Sequence, residues 1–154
     1  MTSRKVASTA ALAVLAALLA AQFVPTERAN PPSQGTLSAP PQIEATLRRA
    51  CYDCHSNETR WPWYSRVAPL SWFIVHDLTL GRKEVNFSEW GSYYPATRRR
   101  KLEWIGRSLH EEKMPPLFYR LMHPDARLTE ADRAALQQWI ESALATPAAE
   151  RSKK

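Results

Sequence analysis

The sequence predicts an all-α chain: one small helical domain carried behind an N-terminal membrane-spanning helix. Three observations predict it. Residues 6–24 form an apolar run broken only by Ser8, Thr9 and Gln22. Further on, apolar residues recur at spacings of three and four, the period of one helical face. No stretch alternates apolar and polar residues for the length of a strand, and there is no internal repeat or Gly-rich phosphate loop.

The elements follow in order. Arg4 and Lys5 precede the apolar run, and as a helix its nineteen residues rise about 28 Å, the thickness of a hydrocarbon core. The positive end belongs in the cytoplasm, which places the rest of the chain outside a bacterial inner membrane, in the periplasm. Leu18-Leu19-Ala20-Ala21 fits a signal-cleavage site badly, so residues 1–24 read as an uncleaved single-pass anchor, with a cleaved signal as the alternative. Residues 25–41, PTERANPPSQGTLSAPP, hold five prolines and no apolar period. They read as a semi-extended linker that holds the domain off the membrane.

The remaining length suits one domain, over 42–146, with a polar tail at 147–154. Its first helix starts between Ser38 and Pro41, proline being tolerated in a first turn. Ile43, Leu47, Cys51 and Cys54 then share one face at spacings of 4, 4 and 3. A second helix covers Pro69 to Leu80 and stops at Gly81. A third runs from about Thr97 to Glu112 with Leu102, Ile105 and Leu109 as its buried stripe. The last starts at Thr129, where Thr129 and Asp132 resemble a capping box. Leu136, Trp139, Ile140, Ala143 and Leu144 form its apolar face, and Pro147 lies past its end.

The chemistry concentrates in Cys51-Tyr52-Asp53-Cys54-His55, which holds both cysteines of the chain. A C-x-x-C-H run is the attachment signal of haem c: two thiols bond the two vinyl groups, and the adjacent imidazole reaches the iron. Other readings of the pair are weaker. A thioredoxin-like dithiol needs a βαβ setting, a zinc site needs a second cysteine pair or scattered histidines such as His76 or His110, and a disulfide here closes too short a loop to stabilise much. A helix leading into C-x-x-C-H with its apolar stripe toward the haem is the class I cytochrome c arrangement. Export by the N-terminal segment supplies the compartment in which such haem is attached.

Met114 is the second chemical feature, 59 residues after His55 and followed by Pro115 and Pro116. A thioether is a soft iron ligand, Met/His ligation raises the reduction potential, and the two prolines stiffen the loop that presents it. Its competitors for the sixth position are His76, four residues after Trp72, and also Met122, His110 and His123. Trp61 and Trp63 are assigned to the haem pocket, where large rings exclude water. Arg60 joins them as a propionate partner, with Arg66 an alternative.

Net charge is +6, and +4 once Arg4 and Lys5 are left out, so the exported surface is mildly basic. That suits solubility and at most a weak preference for acidic partners, and nucleic acid is excluded as a partner by compartment. Arg98-Arg99-Arg100-Lys101 reads as a solvated face. Two functional classes stay open. One is an electron carrier with His55/Met114 ligation that exchanges single electrons with a redox protein partner. The other is a haem enzyme or sensor with a displaceable sixth ligand and His76 as a distal base.

CYDCHSNETRWPWYSRVAPLSWFIVHD, then NFSEW from Asn86 to Trp90, then KMPPLFYRLMHPDARLT together resemble the bacterial haem-binding domain family of exported, cytochrome-c-like proteins. The resemblance runs from about Asn30 to Ser142. It implies one haem bound covalently on Cys51 and Cys54 with His55 as proximal ligand, and it supports Met114, since Met-Pro recurs there in the family.

Overall fold

A computed structural model describes residues 2–146, and among these every regular element is helical. The polar tail and Pro147 lie outside the described residues. The helices are α1 (Thr2–Ala21), α2 (Pro41–Ala50), α3 (Tyr52–His55), α4 (Leu70–Glu84), α5 (Pro95–His110), α6 (Leu117–Met122) and α7 (Glu130–Ala145). Tight 3₁₀ turns at Trp63–Arg66, Phe87–Ser92 and Pro124–Ala126 join them.

α1 is long and apolar enough to cross a membrane, and nothing in its Arg4–Ala21 window is buried against the rest of the chain. The predicted stripes of the other helices meet in one core. Ile43 and Leu47 of α2, Leu102, Ile105 and Leu109 of α5, and Leu136 and Ile140 of α7 pack with Tyr52, Val85, Phe87 and Trp90. α2 and α7 are also tied by charge. Arg49 lies 2.6 Å from Asp132, and Asp132 closes the capping box with Thr129. The Arg49 guanidinium, helped by the Thr129 hydrogen bonds, holds the Asp132 carboxyl down at about 2.

Two expectations are corrected. α4 does not stop at Gly81 but runs through it to Glu84. Gly81 is there for close approach: a Cβ would sit 2.7 Å from the Cys54 carbonyl oxygen. The Pro-rich segment carries no regular element up to Pro40, and it does not hold the domain away. It is a strap folded onto it. Leu37 is buried and donates its N–H to Phe87 O at 2.8 Å, and Gln34 N–H donates to Ser88 O at 2.7 Å. Arg82 of α4 reaches the Ala29 carbonyl at 2.9 Å and the Ser56 carbonyl at 2.8 Å, clasping the strap to the chain that follows α3. Gly35, at φ +94°, makes the crossing with Gly91, where a Cβ would meet Gly91 Cα at 3.0 Å. Prolines leave carbonyls without matching N–H groups, and here side chains of the domain supply the donors.

Candidate functional site

α2 ends at Cys51, whose backbone leaves the helical register (φ −126°, ψ −35°) while its N–H still donates to Leu47 O at 2.8 Å. The Cys51 carbonyl then accepts from Cys54 N–H at 3.2 Å and His55 N–H at 2.9 Å. The pentapeptide is therefore a separate turn, α3, hung on the end of α2. Both cysteines are free, half-buried thiols. Desolvation pushes each up to about 12, so both are neutral.

His55 is only 7% exposed. Its Nδ1 lies 2.9 Å from Gly81 O and 3.2 Å from Val85 O, at the C-terminal turn of α4. Carbonyls only accept, so Nδ1 carries the proton and the lone pair rests on Nε2. Burial lowers the imidazole pKa against the opposing pull of those carbonyls, keeping the ring neutral. A neutral imidazole oriented through its other nitrogen is what a metal requires. Because α4 reaches His55 only where Gly81 lets it close on Cys54, Gly81→Ala is expected to destabilise the fold by about 1–3 kcal/mol. Thermal unfolding checks this against Gly106→Ala, whose Cβ would meet only side chains at 3.6 Å or more and which should cost nothing.

Asp53, inside the pentapeptide, is buried and heavily bonded. It accepts from Arg60 N at 3.0 Å, Arg60 Nε at 3.2 Å, Arg60 NH2 at 3.0 Å and Tyr119 OH at 2.6 Å. Burial alone would raise its pKa; the Arg60 and Tyr119 bonds outweigh that and leave it lowered. Arg60 is thus committed to Asp53.

Met114 is delivered by the end of α5. Glu112 takes the left-handed region (φ 52°), and Lys113 N–H donates back to Ser108 O at 3.0 Å while Glu112 N–H donates to Leu109 O at 3.2 Å. That Schellman pattern turns the chain sharply, and Met114 then lines a cavity of about 30 Å³ with His55, Cys51 and Trp104. The Trp104 ring lies 5.8 Å from the His55 ring, centroid to centroid, and Phe87 lies 6.3 Å away.

A second cavity, of about 480 Å³, has Cys54 on its wall, with Arg60, Trp61, Tyr64, Tyr119 and His123. Its volume is that of a cofactor pocket, about 300–1,000 Å³. α3 therefore contributes to two spaces: the imidazole and the Met114 thioether face the smaller, and the second cysteine faces the larger. A neutral imidazole, a soft thioether and two thiols held by one turn make a donor set that fits haem.

Other expected site residues fall elsewhere. His76 is exposed on α4 and lines neither cavity, because the face it shares with Trp72 points outward. Trp63 is 76% exposed and meets only the edge of Tyr64 among aromatic rings. Trp61 and Arg60 do line the large cavity. His110 is exposed at the end of α5. His123 lies on the large cavity, its Nε2 2.5 Å from Tyr64 OH and its ring stacked on Tyr119 at 4.2 Å. In the basic run, Arg98 bonds Gly91 O, Arg99 pairs with Glu103, and Lys101 reaches Glu84 O and the face of Tyr93.

Sequence reading did not single out Trp104, Tyr119 or Asp53 as site residues. Tyr119 and His123 carry a signal, the i, i+4 spacing that stacks two rings on one helical face; Trp104 carries one only as the indole beside the Leu102–Ile105 stripe.

The mouse (Mus musculus) DNA excision repair protein ERCC-6-like 2 is 28% identical over 106 residues, 67% of this chain. This chain spans only 6% of that protein's length. No solved structure matches. The haem-binding domain family matches residues 16–142, a span that takes in α3, the Met114 loop and both cavities. Its description agrees with the donor set assembled around His55, and the chain belongs to the haem-binding domain family.

Proposed function

We propose that this chain carries one haem, bonded covalently through Cys51 and Cys54, and relays single electrons on the periplasmic side of the inner membrane to which α1 anchors it. The observation that carries the reading is His55. Its Nδ1–H is held by the carbonyls of Gly81 in α4 and of Val85 just past its end, which leaves Nε2 as the ligand atom, on the same cavity as Met114. Held by these residues, haem would supply a one-electron iron couple.

The chain's own residues do the rest. Gly81 O and Val85 O fix the His55 tautomer and raise the basicity of Nε2. Met114 offers the second, soft ligand that raises the potential, and buried Pro115 stiffens its loop. Phe87 and Trp104 flank the imidazole and keep water from it. The partner is a redox protein, and most of the basic run being committed within the chain argues against a strongly cationic docking face.

A haem enzyme or sensor is the second reading. The observation in its favour is the Tyr64–His123 hydrogen bond on the wall of the large cavity, beside the Asp53–Tyr119 bond. Such groups move protons.

Optical spectra of the full chain, produced in a host that attaches c-type haem, separate the two. The carrier is expected to show one haem per chain, low-spin in both states, with a far-red methionine-to-iron charge-transfer band when oxidised. A high-spin ferric spectrum overturns the carrier in favour of the second reading, and haem freed by acid–acetone extraction overturns covalent attachment.

A further inference from the structure

Several of the domain's exposed apolar side chains stand together. Leu70 and Phe73 on α4 and Phe118 on α6 stand at the large cavity with much of their surface in solvent, Phe73 at 66%. Trp63 joins them through its edge contact with Tyr64, another residue of that cavity. α6 has no buried residue at all, and Leu117 and Leu121 extend the patch along it, each more than 60% exposed. A contiguous apolar surface of this kind marks a contact with something apolar.

The position of α1 says what. Gln22, just past the end of α1, makes a paired amide contact with Ala68: Gln22 Nε2 donates to the Ala68 carbonyl at 3.0 Å, and Ala68 N–H donates to Gln22 Oε1 at 3.0 Å. Arg28 also donates to the Ser65 carbonyl at 3.4 Å. Leu70 is two residues beyond Ala68, within about 8 Å of it along the chain. Phe23 and Val24, both exposed and apolar, lie between α1 and the strap. The strap itself is bonded to the domain, so no slack separates the patch from the membrane end of α1.

We propose that this face is the membrane-seated side of the domain. The patch sinks into the headgroup region of the leaflet from which α1 emerges, with Trp63 in the interfacial position that indole rings favour. The proposal rests on the reading of α1 as a retained anchor. Tethering decides for lipid over a second copy or a protein partner, because the bilayer is beside the patch in every anchored molecule at any protein concentration. Arg28 and Arg66 are the nearby cations and Glu27 the neighbouring acid in sequence, a balance that zwitterionic or anionic headgroups tolerate.

The test is photo-crosslinking of the full, haem-loaded chain in vesicles of phosphatidylcholine and phosphatidylglycerol. A benzophenone-bearing phenylalanine replaces Phe73 or Phe118, one at a time, with Leu15 in α1 and exposed Glu141 on α7 as reference positions. Mass spectrometry reads the adducts. Positions 73 and 118 are expected to give phospholipid adducts as position 15 does, about tenfold above position 141. Lipid adducts at 15 with only the level of 141 at 73 and 118, or adducts there to a second chain, overturn the seating while leaving the anchor intact. No lipid adduct at position 15 removes the anchor and the seating with it.

Discussion

Replacing Cys51 and Cys54 together by serine is expected to abolish covalent haem, from one per chain to none, while the helical domain still forms. A hydroxyl cannot form the thioether bonds that the two thiols provide. The fold does not depend on them either. Leu47, Leu136 and Ile140 close the core between α2 and α7, each 2% exposed or less, and the Arg49–Asp132 pair and the Thr129 cap secure the same junction. The cost to stability is confined to two half-buried hydroxyls, about 1–3 kcal/mol for each that finds no partner. Haem staining after denaturing electrophoresis reads the covalent bond, and circular dichroism reads the helix content. Haem that stays with the double variant through acid–acetone extraction would contradict attachment at α3. His55→Ala separates the two jobs of the pentapeptide: the thioethers form, but the iron loses its proximal ligand and turns high-spin.

The core was legible because its signals are local. Ile43 and Leu47, the Leu102–Ile105–Leu109 stripe and the Thr129–Asp132 box each depend on residues three or four apart, and each stands where the spacing places it. What was misread depends on partners distant in the chain. Gly81 looks like a stop signal from its neighbours alone; its reason for being glycine is the Cys54 carbonyl, 27 residues earlier. The strap shows no period because its contacts are single groups: the Pro32 and Ala29 carbonyls accept from Asn57 and Arg82, and the Gln34 and Leu37 N–H groups donate to the Ser88 and Phe87 carbonyls. The spacing of His76 from Trp72 suggests an inward, apolar face, but α4 buries Ser71 and Leu78 instead. A small serine on the inner face and a tryptophan on the outer one defeat a reading by hydrophobicity. The end of α5 carries a left-handed glutamate where glycine is the usual mark, so the turn that delivers Met114 has no signature of its own.

Met114→Ala is expected to leave haem bound, remove the far-red methionine band, open the iron to carbon monoxide, and lower the potential by on the order of 0.1–0.2 V, well inside the roughly 0.8 V that axial ligands command. Met122→Ala, removing a side chain that is 55% exposed on α6, is expected to change none of these. The contrast follows from the two spaces that meet at α3. Met114 lines the one with His55, Cys51 and Trp104, whereas Met122 and His123 line the one with Cys54, on which His55 has no surface. Met114 and His55 would hold the iron together, because the thioether and the imidazole line the same cavity, and Met122 does not share it. Optical spectra and a redox titration of the two variants beside the parent chain check this. A lost band in Met122→Ala with an intact one in Met114→Ala would move the iron to the larger cavity and the sixth ligand to α6. The pair of variants therefore reads out which space beside α3 holds the metal, a question decided by where α5 turns at Glu112 and not by the pentapeptide itself.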